Sequence, residues 1–323
     1  MTRWPVVALT LAVMAGVASA RQPTAPVSQE HIAQLWRDPT DLLQRDLYEG
    51  PGGAALRPTA DAPFAFVAHK TSGVNPGYDV LDREQRLWSV KLGEEAQAEV
   101  TVSRILWAMG YHQPATYYLP EWTLSGTDAG VKGGARFRTD GEHWKPGDEW
   151  DWYENPFVDA REFRGLIVAQ MLLANWDLKA SNNRVYDAVD PSSSPSRFYI
   201  VRDLGSSLGS ARQNRFFKWF GTRGEQGTKN DIEGFERRGF IKEIDGNRVT
   251  FDYRGLNERL TEIVTPADVI WACQLLERLP DQHWQDAFRA GGYDPAIAAR
   301  FIDKIEQKIA EGLALVTSTT AGR

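Results

Sequence analysis

The chain has 323 residues, 42% hydrophobic and 25% charged, which is enough apolar material for one large domain or two packed lobes. A formal net charge of −6 excludes a broad basic footprint for nucleic acid. One cysteine, Cys273, excludes an intrachain disulfide, and the five histidines (31, 69, 112, 143 and 283) form no pair at metal-ligand spacing.

Residues 1–20 read as an export signal. Arg3 gives a positive start, Val6–Val17 is an apolar run too short to span a bilayer comfortably, and Ala18–Ala20 supplies the small residues at which a peptidase cuts. Cleavage near Ala20 would leave a periplasmic or secreted protein without a transmembrane segment, an uncleaved anchor being the alternative. Residues 21–62, rich in Pro, Ala, Thr and Gln, predict a tether or peripheral wrap with one short helix around Ser28–Trp36.

Strand patterning begins at Pro63. Residues 63–70 alternate, a turn-rich loop holds Gly73 and Gly77, and Tyr78–Asp82 and Arg86–Gly93 predict two strands joined by a polar turn. A helix follows over 94–110, with acidic residues in its first turn and Gly110 as its stop. Residues 114–124 and 134–138 read as strands. The acidic, aromatic loop 141–157 leads into a helix over 159–174, then come "NWDLKASNN" (175–183), a short strand 183–186, a loop, and a strand 197–201 running into Asp203-Leu204-Gly205. Residues 240–253 predict a hairpin turning at Asp245-Gly246. The remainder is helical, with Pro266 and Pro295 in first turns and Cys273 in an apolar stretch that reads as core. Strands with one helix, then mostly helices, predict an α+β fold of two lobes around a cleft. The lobes are placed at 63–125 and 126–315, with a flexible tail at 316–323.

Phosphoryl transfer from a nucleotide needs phosphates held, charge neutralised by metal ions, and a carboxylate to orient the attacking hydroxyl. Lys91, ending the strand "LWSVK", can reach into a cleft as a point charge for phosphate; an ordinary solvated Lys is the alternative. On the next helix, at about 100° per residue, Ala98, Val102, Ile105, Leu106 and Met109 share an arc with Glu95 inside it and Glu99 at its margin. Glu94 lies at the other margin; Glu99 is the preferred partner for Lys91, Glu95 could instead serve the helix N-terminus, and the alternative is that all three simply decorate the first two turns. Gly73 and Gly77 could let a loop fold over phosphates, or simply make a turn. Asp177 would orient the attacking hydroxyl, Lys179 would steady the transferring group, and Asn182 and Asp203 would give oxygens to Mg²⁺. The same residue types also favour ordinary turns.

The ordered set is strand-end Lys, acidic helix, D-x-K-x-x-N, apolar strand, D-L-G. "DLKASN" resembles the catalytic loop of protein kinases, "IVRDLG" their metal-binding D-F-G, and "WSVKLG" their nucleotide-binding strand, over roughly residues 66 to 210. The resemblance implies a bilobal kinase-like fold binding ATP and Mg²⁺. On it Asp177 takes the base position, Asn182 and Asp203 the metal positions and Lys91 the phosphate position. "NWD" stands where H-R-D would, Leu204 replaces Phe, no A-P-E follows, and Lys91 and Glu99 lie unusually close in sequence. These departures look more like atypical kinases, the HipA-like, CotH-like and lipid-kinase-like groups, here an exported bacterial member. The acceptor (protein, lipid head group, glycan or small molecule) is not legible.

Arg136 and Arg138 alternate on one strand and could face an anionic substrate, as could Arg212, Arg215 and Lys218; solvated faces are the alternative. ATP is scarce outside the cytoplasm, which leaves room for an inactive pseudokinase or a nucleotidyl transferase. A third reading is a Trp-rich envelope protein that binds glycan through loop 141–157, against which stands packing of those Trp rings on the following helix.

Overall fold

The structure is a computed structural model and describes residues 27–71, 76–141, 143–211 and 227–315. The export signal, Gly73, the basic cluster Arg212, Arg215 and Lys218, and the tail 316–323 lie outside the described residues.

Two four-residue helices come first, α1 (Gln29–Ile32) and α2 (Gly53–Leu56). Next follow β1 (Phe64–His69), β2 (Gly77–Leu81), β3 (Leu87–Leu92), α3 (Glu95–Ala108), β4 (Ala115–Leu119), β5 (Trp122–Ser125), β6 (Gly130–Lys132) and β7 (Ala135–Thr139). The seven strands form one sheet in the order β4-β7-β3-β2-β1-β5-β6, antiparallel except where β1 meets β5. Alternation sends Phe64, Val80, Trp88, Val90, Trp122 and Phe137 into one aromatic-rich core. Its rings meet edge to face, as in Trp122–Phe137 at 5.2 Å and 87°.

The rest is mostly helical. It comprises β8 (Trp144–Pro146), α4 (Arg161–Leu172), β9 (Asn183–Ala188), β10 (Arg197–Val201), α5 (Ile232–Glu236), β11 (Ile241–Asp245), β12 (Arg248–Phe251), α6 (Pro266–Glu277), α7 (Asp281–Ala290) and α8 (Pro295–Leu313). The α+β arrangement is the one the pattern predicts, a β-rich half and a helical half. Two boundaries differ. The single strand expected over 114–124 is two, split around Pro120, with β4 on one edge of the sheet and β5 beside β1. The β-rich half also runs to Thr139 rather than 125, because β7 lies between β3 and β4.

Residues 27–56 are a strap across both halves. Gln34 O accepts from the Tyr199 amide at 2.9 Å, and the Trp36 ring meets Trp271 of α6 at 5.4 Å while its Nε1 donates to Met109 O at 2.7 Å. Pro39 O accepts from Arg278 at 3.1 Å, Glu49 O from the buried Arg104 of α3 at 3.1 Å, and Gly53 O from the Tyr117 hydroxyl of β4 at 2.8 Å. Gly110 has φ +102°, and a Cβ there would stand 2.1 Å from Arg37 O, so only glycine lets the strap lie this close.

Trp150 and Trp152 of the acidic, aromatic loop are buried against each other at 5.0 Å and against Phe163 of α4. They pack the base of that helix and are not available to stack on a glycan, whereas Trp144 and Tyr153 of the same loop are not buried. Among the described residues no helix is long and apolar enough to cross a membrane.

Candidate functional site

β3 turns into α3 through Gly93, whose φ of +94° suits a residue without Cβ. That sharp turn puts Lys91, at the strand end, beside the first two turns of the helix. Glu95 and Glu99 are four residues apart and share one helix face. Lys91 Nζ lies 2.9 Å from Glu95 Oε2, 3.1 Å from Glu99 Oε2 and 2.8 Å from Asp203 Oδ1. The helix therefore supplies both carboxylates rather than Glu99 alone. Glu95, in the first turn of the helix, is engaged by the ammonium groups of Lys91 and Lys229, and the N-cap residue Glu94 makes no side-chain cap.

Arg136 of β7 stands directly opposite Lys91 in the sheet register, a like-charge pairing that would repel. Glu99, 1% exposed, lies between them: its Oε1 takes Arg136 Nε at 2.9 Å and Arg138 Nη1 at 3.1 Å. Arg136 also donates to Ser89 O at 2.7 Å, and Arg138 to Arg202 O at 3.2 Å. The two arginines share a face, as alternation predicts, but they point inward to Glu99 and not outward to an anionic substrate. Burial, reinforced by Arg136 and Arg202, pulls the Arg138 guanidinium down to about 10.

Burial would lower Lys91, but Glu99, Asp203 and Glu95 outweigh it and hold the ammonium above its ordinary value. Burial would likewise raise Asp203, and Lys91 holds it below the usual carboxylate range instead. Its side chain keeps 38% of its surface in water, which moderates that depression.

The loop after α4 is pinned on several sides. Ala174 (φ +55°) turns the chain, Asn175 donates to Gln170 Oε1 at 2.8 Å, and the Tyr253 hydroxyl donates to Asn175 O at 2.9 Å. Trp176 donates through Nε1 to Thr228 O at 3.0 Å. Asp177 Oδ2 is 2.8 Å from Lys179 Nζ and accepts from Asn182 Nδ2 at 3.2 Å, while its Oδ1 is buried with no hydrogen-bond partner. Asn182 Nδ2 also donates to Asp177 O at 2.6 Å, and Asn182 O accepts from the backbone amides of Arg202 at 2.9 Å and Asp203 at 3.2 Å. D-x-K-x-x-N is thus latched to D-L-G by main-chain bonds. Gly205 packs on α3: a Cβ there would stand 2.5 Å from Glu95 Cβ.

The structure brings Lys91, Glu99 and Asp203 into direct contact, and Asp177, Lys179 and Asn182 into a second group joined to the first through the Asn182–Asp203 backbone. Gly77 falls inside β2, paired with Lys91. A Cβ there would meet Val90 O at 2.6 Å, so its small size answers to close strand approach rather than to a turn. Lys229, 2.7 Å from Glu95 Oε1, belongs to the cluster and has no local signal in the sequence. Asp203 and Asn182 offer hard oxygen donors, and the nitrogen end of the Asn182 amide is already spent on Asp177. Among the described residues no group of three or more His, Cys, Asp or Glu could hold a metal by itself. The Asp203 carboxylate and the Asn182 amide oxygen are donors of the kind Mg²⁺ accepts, with phosphates and waters completing its shell.

No protein-family model matches this chain, and no curated protein matches it significantly. Among solved structures, the crystal structure of the Helicobacter pylori proinflammatory kinase CtkA is similar at 12% identity and a TM-score of 0.40, covering 80% of this chain and 97% of that one.

Proposed function

We propose that this chain is an exported, kinase-like phosphotransferase that takes a phosphoryl group from Mg²⁺-bound ATP. The observation that carries the reading is Lys91, ion-paired at once to α3 and to Asp203, beside a D-x-K-x-x-N loop hydrogen-bonded to the Asp203 backbone. A Lys held this way is oriented for phosphate at a preset position, which is most of what phosphoryl transfer asks of a protein.

Asn182 and Asp203 would hold Mg²⁺, which when bound neutralises phosphate charge. Lys91 contacts phosphate, and Asp203 and Glu95 are the carboxylates it exchanges for that contact. Asp177 accepts the proton of the acceptor hydroxyl as the hydroxyl oxygen bonds to phosphorus and the bond to the leaving diphosphate breaks, a step that requires its Oδ1, buried and unpartnered in this structure, to be uncovered. Lys179, half exposed and held by Asp177 Oδ2, steadies the transferring group.

Thermal unfolding with and without Mg²⁺-ATP tests the site. Binding should raise the melting temperature, and Asp203→Ala should remove the rise. Label transfer from γ-labelled rather than α-labelled ATP separates phosphorylation from nucleotidylation, and transfer of neither marks an inactive relative. Asp177→Ala should abolish transfer and retain the thermal shift; turnover in that variant would sink its role as base.

A further inference from the structure

Glu95 is shared. Its Oε2 holds Lys91 at 2.9 Å and its Oε1 holds Lys229 at 2.7 Å, so one carboxylate stands between two ammonium groups. Lys229 and Glu95 keep only 9% and 10% of their side-chain surfaces in water, so the contact is nearly dry and its charges are weakly screened. Lys229 is also fixed from behind. Its ammonium lies 5.7 Å from the centroid of the Trp176 ring, on the loop that carries Asp177. Its neighbours are fastened too. Thr228 N donates to Ser210 O at 3.0 Å, Asn230 N to Ser207 O at 3.0 Å, and Asn230 Nδ2 to Gln97 Oε1 of α3 at 3.1 Å. A cavity of about 460 Å³ opens beside it, walled by Glu94, Thr228, Lys229 and Asn230 among others.

The charges around Lys91 explain what this lysine would do. Three carboxylates lie within 3.1 Å of Lys91 Nζ, which donates to Glu95 Oε2 at 2.9 Å and Asp203 Oδ1 at 2.8 Å and is ion-paired with Glu99 without a hydrogen bond. Glu99 is answered by Arg136 and Arg138 as well as by Lys91, and Asp203 would turn to a metal. Glu95 remains. Unanswered on its far side, it would bind Lys91 more tightly and add negative charge where phosphates must come.

We infer that Lys229 is a positioning residue for the nucleotide site, answering Glu95 so that Lys91 can release it and contact phosphate, with Trp176 holding Lys229 in place. This rests on the phosphotransferase reading above. It also gives Trp176 a task at the position where an H-R-D motif carries arginine, namely joining segment 227–231 to the catalytic loop through an indole N–H and a ring face.

The test is calorimetric binding of Mg²⁺-ATP to the full chain, with circular dichroism as a check on folding. Wild type should bind. Lys229→Met should weaken binding on the order of tenfold, the effect of one uncompensated buried carboxylate near phosphate. The double variant Glu95→Gln/Lys229→Met should recover most of that loss, which no merely structural role for Lys229 would produce. Glu95→Gln alone should bind more tightly than wild type, and it carries the test if Lys229→Met does not fold. Unchanged binding in Lys229→Met, a double variant as weak as the single, or weaker binding in Glu95→Gln would each overturn the inference while leaving the nucleotide site standing. Absence of any Mg²⁺-ATP binding by wild type would overturn both.

Discussion

Glu99→Gln should be among the most destabilising conservative changes in the molecule. The substitution keeps side-chain volume, so no cavity opens and the loss is electrostatic. Glu99 is 1% exposed and answers Lys91, Arg136 and Arg138 within 3.1 Å. Removing one partner from a buried ion pair costs about 3–5 kcal/mol. Lys91 would keep Glu95 and Asp203, Arg136 would keep Ser89 O, and Arg138 would keep Arg202 O, which places the loss near the lower end, at about 3 kcal/mol. Against a native stability of roughly 5–15 kcal/mol this is a large fraction. Urea unfolding followed by Trp fluorescence should show a midpoint roughly 1 M below wild type, for a denaturant dependence of about 3 kcal/mol per molar. A displacement under about 0.3 M, or roughly 1 kcal/mol, would refute the reasoning, because it would mean that water already compensates these charges.

Three further outcomes are expected. Asp203 is held below its unfolded value near 3.9, so its contribution to stability is present above that pH and is lost as pH falls through the lower folded value. The stability gap between wild type and Asp203→Asn should accordingly be flat from about pH 5 to 8 and close in acid, as read by urea titrations at several pH values. Gly205→Ala would set a Cβ 2.5 Å from Glu95 Cβ; a loss of about 1–3 kcal/mol is expected, with a smaller thermal shift on Mg²⁺-ATP because α3 or the D-L-G turn must move. Lys308 of α8 is buried, which pulls its ammonium down to about 7, with Lys304 adding to the effect; its ammonium meets Leu172 O at 2.9 Å and the Phe235 ring at 3.7 Å. The unfolded chain then binds more protons between about pH 7 and 10, so stability rises with pH across that window. Lys308→Met should flatten the rise and be more stable at pH 7 by about 2–4 kcal/mol, and an unaltered pH profile would refute this.

Much of this arrangement was legible where the chemistry is local. Alternation locates β1 to β3, β7 and β10, the Asp245-Gly246 turn locates the last hairpin, and Lys91, the D-x-K-x-x-N stretch and Asp203 are readable as residue types at characteristic spacing. What eluded the sequence depends on partners distant along the chain. Position along α3 assigns Glu95 to the helix N-terminus and so ranks Glu99 above it, whereas the Gly93 turn brings Lys91 within reach of both. Alternation assigns Arg136 and Arg138 to one face but cannot give that face a direction, which Glu99 decides. β6 has only three residues and no periodicity to detect. Lys229 follows Asp203 by 26 positions with no motif around it, and only the fold returns it to Glu95.

The strap formed by residues 27–56 changes how the cleft can work. Two lobes joined by a single connection can swing apart about it like the covers of a book. Here a second length of chain, ahead of β1, is fastened to the helical half at Tyr199, Trp271 and Arg278 and to the β-rich half at Met109, Arg104 and Tyr117. Opening by a wide swing would have to strip that row of hydrogen bonds, whereas a small twist of one half on the other would leave most of them intact. Relative motion of the two halves should therefore be a short rotation, with the strap setting its limit.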